Sequence, residues 1–108
     1  MRLNVYSVYD VAAGAYARPF FLQSDAAAIR TFCDVALNAD DPIGAHPEDY
    51  SLFRVGYWDD QKGKLVGESP ECLSTALEAI ARARKVDSAA VHNLEMELNG
   101  GEQVSNGA

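Results

Sequence analysis

The chain has 108 residues, 48% of them hydrophobic and 23% charged, which is enough to build one packed domain and excludes a disordered tail. Nine Lys/Arg against sixteen Asp/Glu leave a formal charge of −7, which argues against the broad basic face behind non-specific nucleic-acid affinity. No apolar run approaches the roughly 20 residues of a membrane helix, and Met1-Arg2-Leu3-Asn4-Val5 has no signal-peptide core, so the expected location is a cytoplasm with no membrane partner.

In chain order, the first expected element is a strand over Leu3–Tyr9. Leu3, Val5, Ser7 and Tyr9 take one side and Asn4, Tyr6 and Val8 the other. Neither side is wholly polar, which suits a strand covered on both faces or one whose second face meets a partner chain. Gly14 and small residues then lead to Phe20-Phe21-Leu22-Gln23, a hairpin or a short second strand, with Pro19 limiting where pairing begins. Ser24 and Asp25 open a helix to about Asn38, with Ile29, Phe32, Cys33 and Ala36 as its core stripe. Residues 39–49, rich in Asp, Pro and Gly, read as a loop without an element.

A second strand is expected over Tyr50–Trp58. Strict alternation puts Ser51, Phe53, Val55 and Tyr57 on one face and Leu52, Arg54, Gly56 and Trp58 on the other. The turn Asp59–Gly63 returns it as a hairpin through Lys64-Leu65-Val66. Ser69-Pro70-Glu71 signals a second helix to about Lys85, striped by Leu73, Leu77 and Ile80, with a further helical piece over Asp87–Leu98. The expected fold class is therefore α+β: a small antiparallel sheet of two hairpins packed with one or more helices, with a C-terminal helical extension. Its bounds are a single domain over 1–98, made of sheet plus helix (1–68) and a helical part (69–98), followed by a tail over 99–108.

The constellations that would carry chemistry are thin. Cys33 and Cys72 both fall in expected helices, show no metal-ligand spacing and read as buried thiols. His46 with Asp40, Asp41, Glu48 and Asp49 has the composition of a cation site, but the Gly and Pro around it describe a solvated turn equally well. No nucleophile elbow or phosphate loop occurs, and neither histidine has identifiable catalytic partners, so neither an enzyme nor a cofactor is expected. The aromatic residues on the strands are more informative. Arg18, Arg54, Tyr57 and Trp58 could meet a single DNA strand through phosphate contacts and base stacking. Tyr6, Tyr9, Phe20 and Phe21 are candidates for a protein interface, with a homodimer expected.

Residues 46–64, from His46-Pro47-Glu48-Asp49-Tyr50 through Trp58-Asp59-Asp60 to Lys64, resemble the small nonstructural proteins of gokushoviruses, the single-stranded DNA phages of the Microviridae. Val5-Tyr6-Ser7-Val8-Tyr9-Asp10, Ala15-Tyr16-Ala17-Arg18-Pro19-Phe20-Phe21 and Ala28-Ile29-Arg30-Thr31-Phe32 resemble that family's other recurring blocks, in the same order. The resemblance covers about residues 1–66, and the part from Ser69 inherits nothing from it. It implies an accessory protein of the infected bacterial cytoplasm acting in viral DNA replication or packaging, with single-stranded DNA, the replication initiator or the capsid precursor as partners. The competing expectation is a protein-interaction module without DNA contact, its acidic loop Asp40–Asp49 meeting a basic surface.

Overall fold

The structure, a computed structural model, describes residues 1–85, 92–94 and 96–97. It is an α+β fold built on one antiparallel sheet. β1 (Arg2–Asp10), β2 (Ala15–Tyr16), β3 (Phe20–Leu22), β4 (Tyr50–Asp59) and β5 (Lys64–Thr75) form that sheet, with α1 (Asp25–Ala36) between β3 and β4. The strand order is β2-β1-β4-β5, and β3 shares the outer edge of β1 with β2. The β4–β5 hairpin and the pairing of β1 with the Phe20–Leu22 strand are those expected, whereas β2, at Ala15–Tyr16, is a short strand inside the stretch read as their connection.

Local chemistry accounts for the turns. Asp10 Oδ1 accepts from the Ala12 amide at 2.9 Å at the start of the first hairpin loop, and Asp59 Oδ1 accepts from the Gln61 amide at 3.0 Å in the second. Gly63 supplies the positive φ of 64° that closes that second loop. Ser24 caps α1, its hydroxyl oxygen accepting from the Ala27 amide at 3.1 Å, and Asp25 occupies the first turn where the helix dipole favours an acid.

The core lies between one face of the sheet and the helices. Tyr6, Val8 and Leu52 from the strands meet Ala28, Phe32 and Ala36 of α1, together with Ala76 and Ala79. Ile29 and Cys33, expected on the same stripe as Phe32, are half-buried at its margin.

Two expected elements are corrected. Residues 39–49 are not structureless: Pro42–Ala45 forms a helical turn, α2, capped by the Asp41 carboxylate, and Pro47–Asp49 a 3-10 turn. The Ser69-Pro70-Glu71 signal does not start a helix, because β5 continues alongside the long β4 to Thr75. Pro70 is tolerated there because residues 68–70 lie in a break of the β4–β5 register on an edge strand, where a missing N–H costs no ladder bond. The helix that follows, α3, is described over 76–85. It is capped by Thr75, whose Oγ1 accepts from the Glu78 amide at 3.1 Å, so Thr75-Ala76-Leu77-Glu78 is the true start signal.

The consequences of that shift are two. Leu77, expected on the core stripe, is 53% exposed, while the smaller Ala76 and Ala79 are buried. Cys72 is exposed on a strand, not buried in a helix. Residues 92–94 and 96–97 are helical, as expected for the second piece, whereas 86–91 and the expected tail over 99–108 lie outside the described residues.

One further departure sets which strand residues share a face. Val5 pairs with Gly56 but Tyr6 pairs with Arg54, so Val55 is an extra residue in β4 and forms a bulge. Gly56 is required beside it, since a Cβ there would fall on the Val66 carbonyl oxygen of β5. Gly56→Ala should therefore cost about 2–3 kcal/mol in urea unfolding, whereas Gly67→Ala, with no atom near its Cβ, should stay within about 0.5 kcal/mol.

Candidate docking face of the sheet

The bulge divides the strand residues differently from simple alternation. On the helix-covered face, β1 contributes Asn4, Tyr6 and Val8, opposite Tyr57, Arg54 and Leu52 of β4. On the other face it contributes Leu3, Val5, Ser7 and Tyr9, opposite Trp58, Gly56, Phe53 and Ser51. Tyr57 and Trp58 thus exchange the sides that strict alternation gave them relative to Arg54.

The covered face is locked by a polar cluster. The Tyr6 hydroxyl donates to Asp25 Oδ1 at 2.8 Å and accepts from Asn4 Nδ2 at 3.0 Å. The Arg54 guanidinium donates to Asp25 with one nitrogen and to Glu71 with another. The Arg2 guanidinium lies 3.5 Å from the centre of the Tyr57 ring. Arg54 is therefore paired within the protein with two carboxylates.

No described helix packs on the opposite face. At one end, Leu3, Phe21, Trp58 and Leu65 line a shallow apolar hollow of about 310 Å³, with Phe21 43% and Leu65 62% exposed. At the other end, Tyr9, Tyr16 and Phe53 form a three-ring cluster, with centroids 4.8 Å apart for Tyr9–Tyr16 and 5.5 Å for Tyr16–Phe53. Edge-to-face rings of this kind hold one another rigid while leaving their outer surface presentable to a partner.

The residues expected to meet DNA are thus separated. Arg54 and Tyr57 sit on the covered face, Trp58 on the open one, and Arg18 is exposed in the link between β2 and β3. Of the expected interface residues, Tyr9 and Phe21 belong to the open face. Tyr6 does not: it is 0% exposed, and its ring packs against Phe20 in the core, with centroids 5.7 Å apart. Sequence reading missed Leu3 and Leu65. Counting back from the Asp59–Gly63 turn pairs Leu65 with Trp58 and would have found the second of them. Among the described residues, no group of three or more His, Cys, Asp or Glu is placed to hold a metal ion, and His46 reaches only Glu48, at 3.9 Å.

The Tyr6 phenol is pushed up from its ordinary 10.0 to about 12, chiefly by burial and then by its hydrogen bond to the Asp25 carboxylate. An unfolded tyrosine loses its proton first, so stability held by protonated Tyr6 is intact below pH 10 and is lost as pH climbs toward 12. That loss is on the order of 2 kcal/mol. Tyr6→Phe should cost about 1–2 kcal/mol near neutral pH and flatten this alkaline segment of a stability-versus-pH curve measured by denaturant titration.

The profile of the family described as Phage ORF5 protein matches residues 3–79, taking in every strand of the sheet, α1 and the first turn of α3. No curated protein and no solved structure matches the chain. With its whole sheet and its principal packed helix inside that match, the chain belongs to the Phage ORF5 protein family and is a bacteriophage protein.

Proposed function

We propose that this phage protein is a non-enzymatic accessory factor in viral single-stranded DNA replication or packaging, working in the host cytoplasm by docking its open sheet face onto a protein of that machinery. The replication initiator and the capsid precursor are the candidate partners. The observation that carries the reading is the Leu3–Phe21–Trp58–Leu65 hollow, an apolar surface with two aromatic rings in its lining that nothing in the described chain covers. Apolar and aromatic anchors grouped in a shallow depression are the usual centre of a protein–protein contact. The sequence resemblance to gokushovirus nonstructural proteins supplies the viral setting, and no described helix is long and apolar enough to cross a membrane.

Direct binding of single-stranded DNA is the second reading. Phe21 and Trp58 offer ring faces on which bases can stack. Charge weighs against it, because Arg54 is held by two carboxylates and the chain carries seven excess negative charges.

Trp58 is the chain's one tryptophan, so its fluorescence reports on the face directly. Titration with the purified replication initiator or capsid precursor should shift Trp58 emission, and Phe21→Asp should weaken that binding by about tenfold or more. A single-stranded oligonucleotide at low salt should leave the emission unchanged. Salt-sensitive quenching by the oligonucleotide, with no response to either protein, would replace the leading reading with the DNA one.

A further inference from the structure

β5 ends the sheet on one side, and among the described residues no strand pairs with its outer edge. The strand has two parts. Lys64–Gly67 follows β4 residue by residue from the Asp59–Gly63 turn, whereas residues 68–70 stand in the register break beside Val55. A regular edge whose main-chain groups are unpaired is a template for a further strand. Which groups point outward follows from Gly56. The place of a Gly56 Cβ is nearer the Val66 oxygen than the Val66 carbonyl carbon, so that carbonyl points inward at β4. Main-chain groups alternate along an antiparallel strand, and the N–H and C=O of Leu65 and Gly67 therefore point outward. Neither residue is sheltered: Leu65 is 62% exposed, and no atom stands within 4 Å of the place of a Gly67 Cβ.

The side chains make this edge complementary to itself. Lys64 and Glu68 lie equally far from Val66, carry opposite charges and are both exposed. An antiparallel pairing of two copies centred on Val66 sets Lys64 opposite the partner's Glu68 and Leu65 opposite the partner's Gly67. The outward groups of Leu65 and the partner's Gly67 then form a hydrogen-bonded pair, the glycine leaves space for the leucine side chain, and opposite charges face one another across the seam. Centring on Gly67 instead would set Glu68 opposite the partner's Val66 and Lys64 opposite the partner's Pro70, losing both charge pairs. With the centre at Val66, Pro70 falls opposite the partner's Lys62, in the turn, so its missing N–H lies beyond the ladder.

We infer that two copies of this chain pair along β5, Lys64–Glu68 against the same segment of the second copy, into one continuous antiparallel sheet with a two-fold axis at Val66. Two-fold symmetry makes the Leu65–Gly67 exchange and the Lys64–Glu68 ion pair twice each. Leu65 of each copy lines the hollow on the open face, so the two hollows lie side by side across the seam and present one larger apolar surface. The edge pairing itself is independent of what that face binds.

Light scattering on the full chain at tens of micromolar should give twice the 11.7 kDa chain mass, and amide hydrogen exchange at Leu65 and Gly67 should slow as concentration rises. Gly67→Pro removes an outward N–H that the copy's own ladder does not use. It should raise the dimer dissociation constant at least about tenfold while leaving the circular dichroism unchanged. Lys64→Glu and Glu68→Lys should each weaken the dimer, and the double exchange should recover most of the loss. In a Cys72→Ser background, Val66→Cys should form a covalent dimer on mild oxidation, because the Cα atoms of a directly opposed, non-hydrogen-bonded pair stand about 4.5 Å apart. Gln61→Cys, in the turn, should not. Phe21→Asp should leave the dimer mass unchanged. A monomer throughout the concentration range would overturn the inference. So would a dimer that Gly67→Pro leaves as tight as before, or one that Phe21→Asp breaks.

Discussion

The architecture depends on a single carboxylate. Asp25 sits in the first turn of α1 and accepts hydrogen bonds from Tyr6 of β1 and Arg54 of β4, and Arg54 reaches on to Glu71 of β5. One helix and three strands are thereby joined at one point, above a core otherwise held by apolar contacts. Such an arrangement is costly to leave incomplete, because each partner removed would strand a partly buried polar group. Here the donors and acceptors close on one another: no buried side-chain nitrogen or oxygen among the described residues lacks a partner. The cluster ties the start of α1 to β1 and β4 on the same face of the sheet that Phe32 and Ala36 of the helix cover.

The open face of the sheet is the complement of that seal. With α1 and α3 on one side, no helix among the described residues covers the other. Val5 and Ser7 are buried there, Ser7 donating to the Ala17 carbonyl, yet Phe21, Leu65 and Tyr16 remain well exposed. The Val55 bulge is what concentrates apolar groups on this side. It turns Trp58 toward Leu3 and Leu65 while leaving Arg54 facing Asp25. Without the extra residue, Arg54 and Trp58 would share a face, and a cation beside an indole would have suited a phosphate-bearing ligand far better. A one-residue irregularity thus decides between two chemistries of surface.

Much of the fold was legible because it rests on short-range signals. The alternation of β1, the Ser24 cap, the Asp59–Gly63 turn and the stripe through Phe32 are local patterns, and the structure realises each of them. The failures have a common cause. Ser69-Pro70-Glu71 has good helix-start chemistry, but β4 is long enough to offer a pairing edge as far as Thr75, and the ladder outweighs the local preference. The same competition displaced the helix phase, buried Ala76 and Ala79 in place of Leu77, and moved Cys72 to the surface.

From the amino-acid order alone came the α+β class, two antiparallel hairpins, one amphipathic helix on the sheet and an acidic surface, since each follows from periodicity, capping or charge along adjacent residues. Only the tertiary structure decided which strand residues share a face, that Arg54 is spoken for by Asp25 and Glu71, that Tyr6 is core, and that Leu3, Phe21, Trp58 and Leu65 meet in one hollow. The reason is register. A bulge and a sheet order are settled by interactions between segments about fifty residues apart, and a single extra residue in one strand reverses the side on which every later side chain emerges.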